Sequence, residues 1–450
     1  MVSYQVVELI ERNFWGNNPI YGNLKLMKKK ILLLSIFIFI LGGSTLQSGQ
    51  AQSTQEPSSL QEIDLGVPVS LIEWYENQSG LIGNETFFGA YITLPVDEKL
   101  YIGLGSARPA EDSGDGAYFA YFDGTQISGI GHLDEQGVHE MIWDGTIVHI
   151  AGTDPHNVIT GGNDWSTGNH YNYDPGTQTL SKYRDPINGL LYAFHTWGLW
   201  KEGPTLFAAA SVHDGSLING GDCIELDDNG DPIANHCMGK IFITNDNGAT
   251  WTAKSPLGGY RAYDIIGFNA ALYAIANNEY TGPLTLYKSV DGGTTWVAFP
   301  SLTNILRMSH LTMFDGSLIA TSFDRAHLLQ IDKNDQIIIH NLPTGYLLGT
   351  DYADRFWYSD YHMMVSVGGM FYVLVEEQTT HQNAILSTQD FSNWQIVAST
   401  DEKLISLSYW PANNWLVTSS PGINAKLWKI DLPVIQTFLY FPFIAKTYTP

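Results

Sequence analysis

A rhythm of turns constrains this chain more than any other feature. A bulky apolar residue, a turn and a short β-rich run recur as WDGTIVHIAG (143–152), EGPTLFAAAS (202–211), FNAALYAIAN (268–277), FDGSLIATSF (314–323), VGGMFYVLVE (367–376) and PANNWLVTSS (411–420). DEKLYIGLGS (97–106) is a less complete copy. Asp-Gly, Gly-Gly and Asn-containing turns between β-branched and aromatic runs are hairpin signals. The runs begin near Leu100, Ile147, Leu206, Leu272, Leu318, Phe371 and Trp415, at intervals of 44 to 66 residues. Helical periodicity is almost absent after residue 52. A return near fifty residues with several short strands per unit predicts one all-β propeller. A solenoid repeats at shorter intervals, and two packed sandwiches show no such return. The runs predict seven four-stranded blades, with six or eight left open because the first two units are degenerate. The segment EIDLGVPVSLIEWY (62–75) precedes the first unit. It is expected to add a strand beside AKLWKIDL (425–432), closing the ring and hiding two open edges.

Two octapeptides repeat within this rhythm. Thr244, Asp246, Gly248, Thr250 and Trp251 are matched by Ser289, Asp291, Gly293, Thr295 and Trp296, and STQDFSNW (387–394) is a worn third copy. In such a turn Asp accepts backbone N–H groups, Gly supplies a positive φ, and Trp packs its ring between sheets. The pattern resembles the Asp-box, or bacterial neuraminidase repeat, of sialidase-like propellers. That resemblance implies a structural role on the outer rim for Thr244, Asp246, Gly248, Trp251, Ser289, Asp291, Gly293 and Trp296, with any ligand site near the central channel. It says little about activity, because the box also occurs in xyloglucan-degrading hydrolases, sorting receptors and photosystem assembly factors. The arginine motif that a catalytic sialidase carries before its first box has no counterpart; Arg108 in SARPA is a loose echo. A classical sialidase is therefore not expected.

The beginning of the chain reads as an address. Met27, Lys28, Lys29 and Lys30 precede ILLLSIFIFIL and then small residues at Gly49 and Ala51. This is the pattern of a secretory signal cut after about Ala51, with translation starting at Met27. A run of eleven residues, ten of them apolar, is too short for a permanent span, which needs about twenty. The expected organisation is an upstream segment and signal over 1–51, a linker over 52–61, the propeller over 62–432 and an apolar tail over 433–450. The formal net charge is −24, and residues 1–51 carry a net +3, so the mature chain is more acidic still. Such a charge repels nucleic acid and anionic lipid. The expectation is an exported monomer, secreted or at the cell surface, with no transmembrane anchor. Its partner is then extracellular carbohydrate or an envelope protein. Cys223 and Cys237 are the only cysteines, and outside the cell such a pair is most simply a disulfide.

Candidate chemistry lies where innermost strands enter the channel. Reading back four or five residues from the turn anchors Trp143, Trp200, Phe268, Phe314 and Val367 gives His139, His195, Tyr263, His310 and His362. Around an axis these could bind a divalent metal, move protons, or contact sugars, whereas packing between blades is their bland role. Parity argues against one shared face, since His139 and His310 lie four before their anchors and the others five. The loop YADRFWYSDYH (352–362) adds Arg355, Trp357, Asp360 and Tyr361, and HTWGLW (195–200) adds Trp197: aromatic faces beside charged groups, as a sugar cleft requires. Asp227, Asn229 and Asp231 resemble the start of a calcium loop, but Pro232 stands where glycine is needed. No acid–base pair can be named from these residues. An enzyme of this kind would be a glycoside hydrolase or polysaccharide lyase, and the competing reading is a non-catalytic envelope scaffold.

Overall fold

The structure is a computed structural model. It describes residues 59–433 apart from 84–87, 107–115, 154–166, 169, 184–188, 216–223, 227–231, 278–282, 300–301, 306–309 and 350–361. The expected signal, its preceding segment and the C-terminal tail lie outside the described residues, as do Arg355, Trp357, Asp360, Tyr361, Asp227, Asn229 and Asp231. Among the described residues no helix is long and apolar enough to cross a membrane.

Each turn-and-run stretch of the sequence becomes an antiparallel hairpin, and the strands that follow continue it as a meander. Phe88–Val96, Lys99–Ser106, Ala117–Phe122 and Ile127–Leu133 form one sheet in chain order. Arg261–Phe268, Ala271–Asn277, Leu284–Ser289 and Val297–Ala298 form another, and Thr312–Phe314, Ser317–Thr321, His327–Ile331 and Ile337–Asn341 a third. The first strands of successive hairpins abut. Phe88–Val96 touches Gly137–Trp143, which touches Ala193–Glu202, which touches Arg261–Phe268. Thr312–Phe314 touches Met364–Val367, which touches Ser406–Trp410, and this last strand returns to Phe88–Val96. Sheets arranged side by side with their first strands inward, the first meeting the last, are a β-propeller.

The blade count differs from the sequence rhythm. Among the described residues five sheets have blade size, four of four strands and one of five, rather than seven. Eight strands between Gly137 and Gly258 form a single sheet. Its physical cause is a pairing between His195 and Thr153, which joins the hairpin Gly137–Thr153 to the strand Ala193–Glu202. The segment expected to close the ring contributes only a short edge strand. Only Gln61 and Glu62 pair, with Lys429 and Trp428, and the Ile63 N–H donates to the Leu427 carbonyl at 2.8 Å. Residues 71–75 of that segment begin an α-helix, Leu71–Ser79. Ser70 and Glu73 form a capping box at its start, and Gly80 ends it at φ 68°. The helix buries Leu71, Ile72, Trp74 and Tyr75 beside Phe88 and Tyr118.

Both octapeptides form the same turn, each joining the third and fourth strands of a meander. Thr250 donates to Asp246 from its N–H (2.8 Å) and its hydroxyl (2.6 Å), and the Gly248 N–H donates to the Thr244 hydroxyl at 3.0 Å. Thr295 and Gly293 repeat these bonds on Asp291 and Ser289 at 2.8, 2.6 and 2.9 Å. Gly248 and Gly293 adopt φ of 89° and 82°, which a Cβ would strain. Trp251 is buried in an apolar cluster with Ile142 and Phe242, and its ring stands edge-on to His170 at 5.3 Å. In the worn copy Asn393 replaces the threonine, donating to Asp390 from its N–H at 2.8 Å and its amide at 2.9 Å.

These bonds set an acid window. The Thr295 hydroxyl, then its N–H, hold Asp291 down at about 2; the Asn393 N–H, then its side chain, do the same for Asp390. A carboxyl lowered by folding stabilises the fold above its unfolded value, about 4, and loses that contribution as pH falls toward 2. The urea midpoint is expected to fall between pH 5 and pH 2, and to fall less steeply in Asp291→Asn. Equal slopes would contradict this.

Cys237 opens the strand Cys237–Thr244, buried, with its N–H on Asn235 Oδ1 at 2.9 Å. It is not a free cysteine. Cys223, its expected partner, lies outside the described residues.

Candidate functional site

Innermost strands are not regular here. Opposite Val148–Thr153, the pairing skips from Val138 to Glu140, leaving His139 as an extra residue. The same skip occurs from Ala262 to Asp264 around Tyr263, and from Ala90 to Ile92 around Tyr91. Ala193–Glu202 carries two, around Phe194 and Trp197. A bulge inserts one unpaired residue and bends the strand, so it re-aims the side chains that follow. Parity counted along an ideal strand therefore fails for this ring.

Of the sequence-predicted residues, His139, His195, Trp197, Tyr263, His310 and His362 meet in one cluster. His195 stacks on Trp197 at 4.8 Å between ring centroids, and His139 packs on the same indole at 4.3 Å. Trp197 in turn meets Tyr263 at 5.3 Å. His310 and His362 lie nearly parallel at 4.0 Å. Trp197 is only 2% exposed, so it forms the floor of the cluster instead of a face for solvent. Its indole N–H donates to Ser211 Oγ at 2.8 Å. His362 is the most open of these rings, with 28% of its side chain exposed.

Three charged residues that the sequence reading missed complete the cluster. Glu140 is buried beside the two stacked rings, its Oε2 3.8 Å from His310 Nδ1 and its Oε1 3.5 Å from His362 Nε2. Asp264 Oδ2 lies 3.7 Å from His310 Nδ1 and accepts from the Leu311 N–H at 2.6 Å, while Oδ1 accepts from Ile265 at 2.7 Å. The buried Arg261 guanidinium lies over Tyr260 at 4.6 Å, and stands 5.6 Å from the Phe194 ring and 6.0 Å from Trp197. Glu140 and Asp264 each follow a bulged residue, His139 and Tyr263. That neighbourhood was readable, but the bulge that turns both carboxylates to the cluster was not.

Electrostatics defines the state of one histidine. Burial first, then the charges of His195, His310 and Arg261, holds His139 well below the usual imidazole range, so its ring is neutral at neutral pH. Glu140, His310 and His362 each present one ligand atom, all within 4.8 Å of one another, as a metal centre requires.

No known family matches this chain, and no curated protein does. Among solved structures it is similar to a catalytically inactive virginiamycin B lyase from Staphylococcus aureus with quinupristin (11% identity, 78% of this chain and 98% of that one, TM-score 0.48). It is also similar to the β-propeller domain of the trilobed protease from Pyrococcus furiosus (10%, 77% and 96%, 0.46) and to the Hadza microbial sialidase Hz136 (11%, 78% and 68%, 0.42). At these scores the chemistry of this chain rests on its own residues.

Proposed function

We propose that the chain is an exported propeller that binds or processes extracellular carbohydrate where its inner strands converge. The observation that carries this reading is the meeting of His139, His195, His310 and His362 with Glu140, Asp264 and Arg261 above a floor of Trp197 and Tyr263. Carboxylates and imidazoles beside aromatic rings offer a hydroxyl-rich ligand directional hydrogen bonds and proton transfer. The basic–apolar–small pattern ending near Ala51 supports export, and a Cys223–Cys237 disulfide belongs to that reading. The octapeptide turns support membership of the Asp-box propellers, and the Gln61–Glu62 pairing supports ring closure by the N-terminal strand. A histidine-held divalent metal is part of the proposal.

Glycan arrays over plant, algal and host glycans, with reducing-sugar and unsaturated-product assays, test it on the purified chain. The expected result is binding to at least one glycan, weakened tenfold or more in Glu140→Gln, since a buried charged hydrogen bond is worth about 1.5–3 kcal/mol. No binding and no turnover anywhere, with pull-down of envelope protein instead, would replace this reading with that of a scaffold.

A further inference from the structure

We infer that Glu140, His310 and His362 form a binding site for one divalent first-row transition cation, Zn²⁺ by chemistry. This deepens the carbohydrate reading and rests on it for the use of the metal, though not for its binding. The argument begins with distances. The Glu140–His310 and Glu140–His362 approaches, 3.8 and 3.5 Å, are longer than an N–H···O bond of about 2.7–3.2 Å. Each is near the span of two metal bonds, one made to Oε2 of Glu140 and the other to Oε1. Two bonds of about 2.1 Å span about 3.4 Å at the tetrahedral angle and at most about 4.2 Å. The three ligand atoms lie within 4.8 Å of one another, so the widest edge closes by at most about 1.4 Å to reach the tetrahedral span. One of the two stacked rings must turn out of its 21° near-parallel setting for both in-plane lone pairs to meet the ion.

The ligands come from separate parts of the chain, held from behind. Glu140 sits on the first strand of a hairpin just past a bulge, with the Met141 N–H on its Oε1 at 3.0 Å. His310 precedes Leu311, whose N–H is pinned by Asp264 at 2.6 Å, so Asp264 positions the His310 backbone. His362 takes a φ of 44°, a left-handed conformation that a residue with a Cβ rarely adopts. Its carbonyl accepts from the Leu407 N–H at 3.0 Å, which anchors it to the next inner strand. A strained backbone at a convergent residue is the kind of outlier that marks a site.

Donor type selects the ion. Two imidazole nitrogens and one carboxylate suit Zn²⁺ and its neighbours, whereas Ca²⁺ and Mg²⁺ take oxygen ligands. Three protein ligands leave a fourth position for water or a hydroxyl or carboxylate oxygen of the ligand.

The test is a Zn²⁺ titration of the purified full chain against a chromophoric chelator at neutral pH, with no glycan present, repeated with Mn²⁺ and Ca²⁺. One equivalent of Zn²⁺ is expected to bind, with Glu140→Gln and His362→Gly weakening it about 100-fold or more. Glycine at 362 accepts the left-handed φ without a Cβ, so the thermal midpoint of His362→Gly should stay level or rise. Uptake of neither Zn²⁺ nor Mn²⁺, a preference for Ca²⁺, or wild-type affinity in His362→Gly would overturn the inference. A chain that binds Zn²⁺ but no glycan keeps the metal site and loses the carbohydrate reading. A chain that takes up no metal and binds glycan equally after chelation does the reverse.

Discussion

Trp410→Ala is expected to lower the unfolding free energy by about 3–5 kcal/mol, the range for emptying a buried aromatic site. Trp410 is fully buried in the cluster that joins the first sheet to the last, beside Leu100, Phe122 and Val417. Its ring meets Trp415 edge-on at 5.5 Å and Phe122 at 6.0 Å, and its N–H donates to the Asp97 carbonyl at 3.0 Å. Two polar links cross the same seam, Thr93 to Ser408 at 2.7 Å and the Ser419 hydroxyl to the Ala90 carbonyl at 2.6 Å. Neither refills the volume of an indole. Urea unfolding followed by circular dichroism measures the loss. A change below about 1 kcal/mol would mean that this seam does not hold the ring together.

Gly198→Ala is expected to damage stability and site together. A Cβ at residue 198 would lie 2.7 Å from Asp264 Oδ1 and 2.8 Å from its Cα, and backbone cannot swing aside as a side chain can. Overpacking of this kind costs about 1–3 kcal/mol, with the upper end expected where backbone meets backbone. Asp264 also pins the amide after His310, so its displacement should weaken Zn²⁺ binding about tenfold or more. Gly203→Ala, at φ 54° with open space around its Cβ position, should lose a little stability and no metal affinity. If Gly198→Ala melts earlier yet binds metal unchanged, Asp264 has no positioning role.

The hairpin rhythm was legible because turn chemistry is local. Asp144-Gly145, Asp315-Gly316 and Gly368-Gly369 each lie between β-rich runs, and each is a hairpin end. The blade boundary between Thr153 and His195 was not legible, because it depends on one pairing between distant strands. The helix Leu71–Ser79 could have been found from Ser70 and Glu73, whose spacing is that of a capping box, had the search for a closing strand not claimed the segment. The histidines were legible as a set by their place before the turns. Their common direction was not, since a one-residue bulge at His139 or Tyr263 reverses faces, and since the strand of Trp200 runs on to Glu202 and shifts that anchor. Glu140 and Asp264 were hidden for the same reason.

Everything functional here depends on residues far apart in the chain meeting at the inner strands. A crystal of the full chain grown with Zn²⁺, measured at the zinc absorption edge, tests that meeting most directly. One anomalous peak about 2.0–2.2 Å from a Glu140 oxygen and from one ring nitrogen each of His310 and His362 is the expected result. A map with no peak there, or coordinates placing those side chains on different faces of the ring, would contradict it.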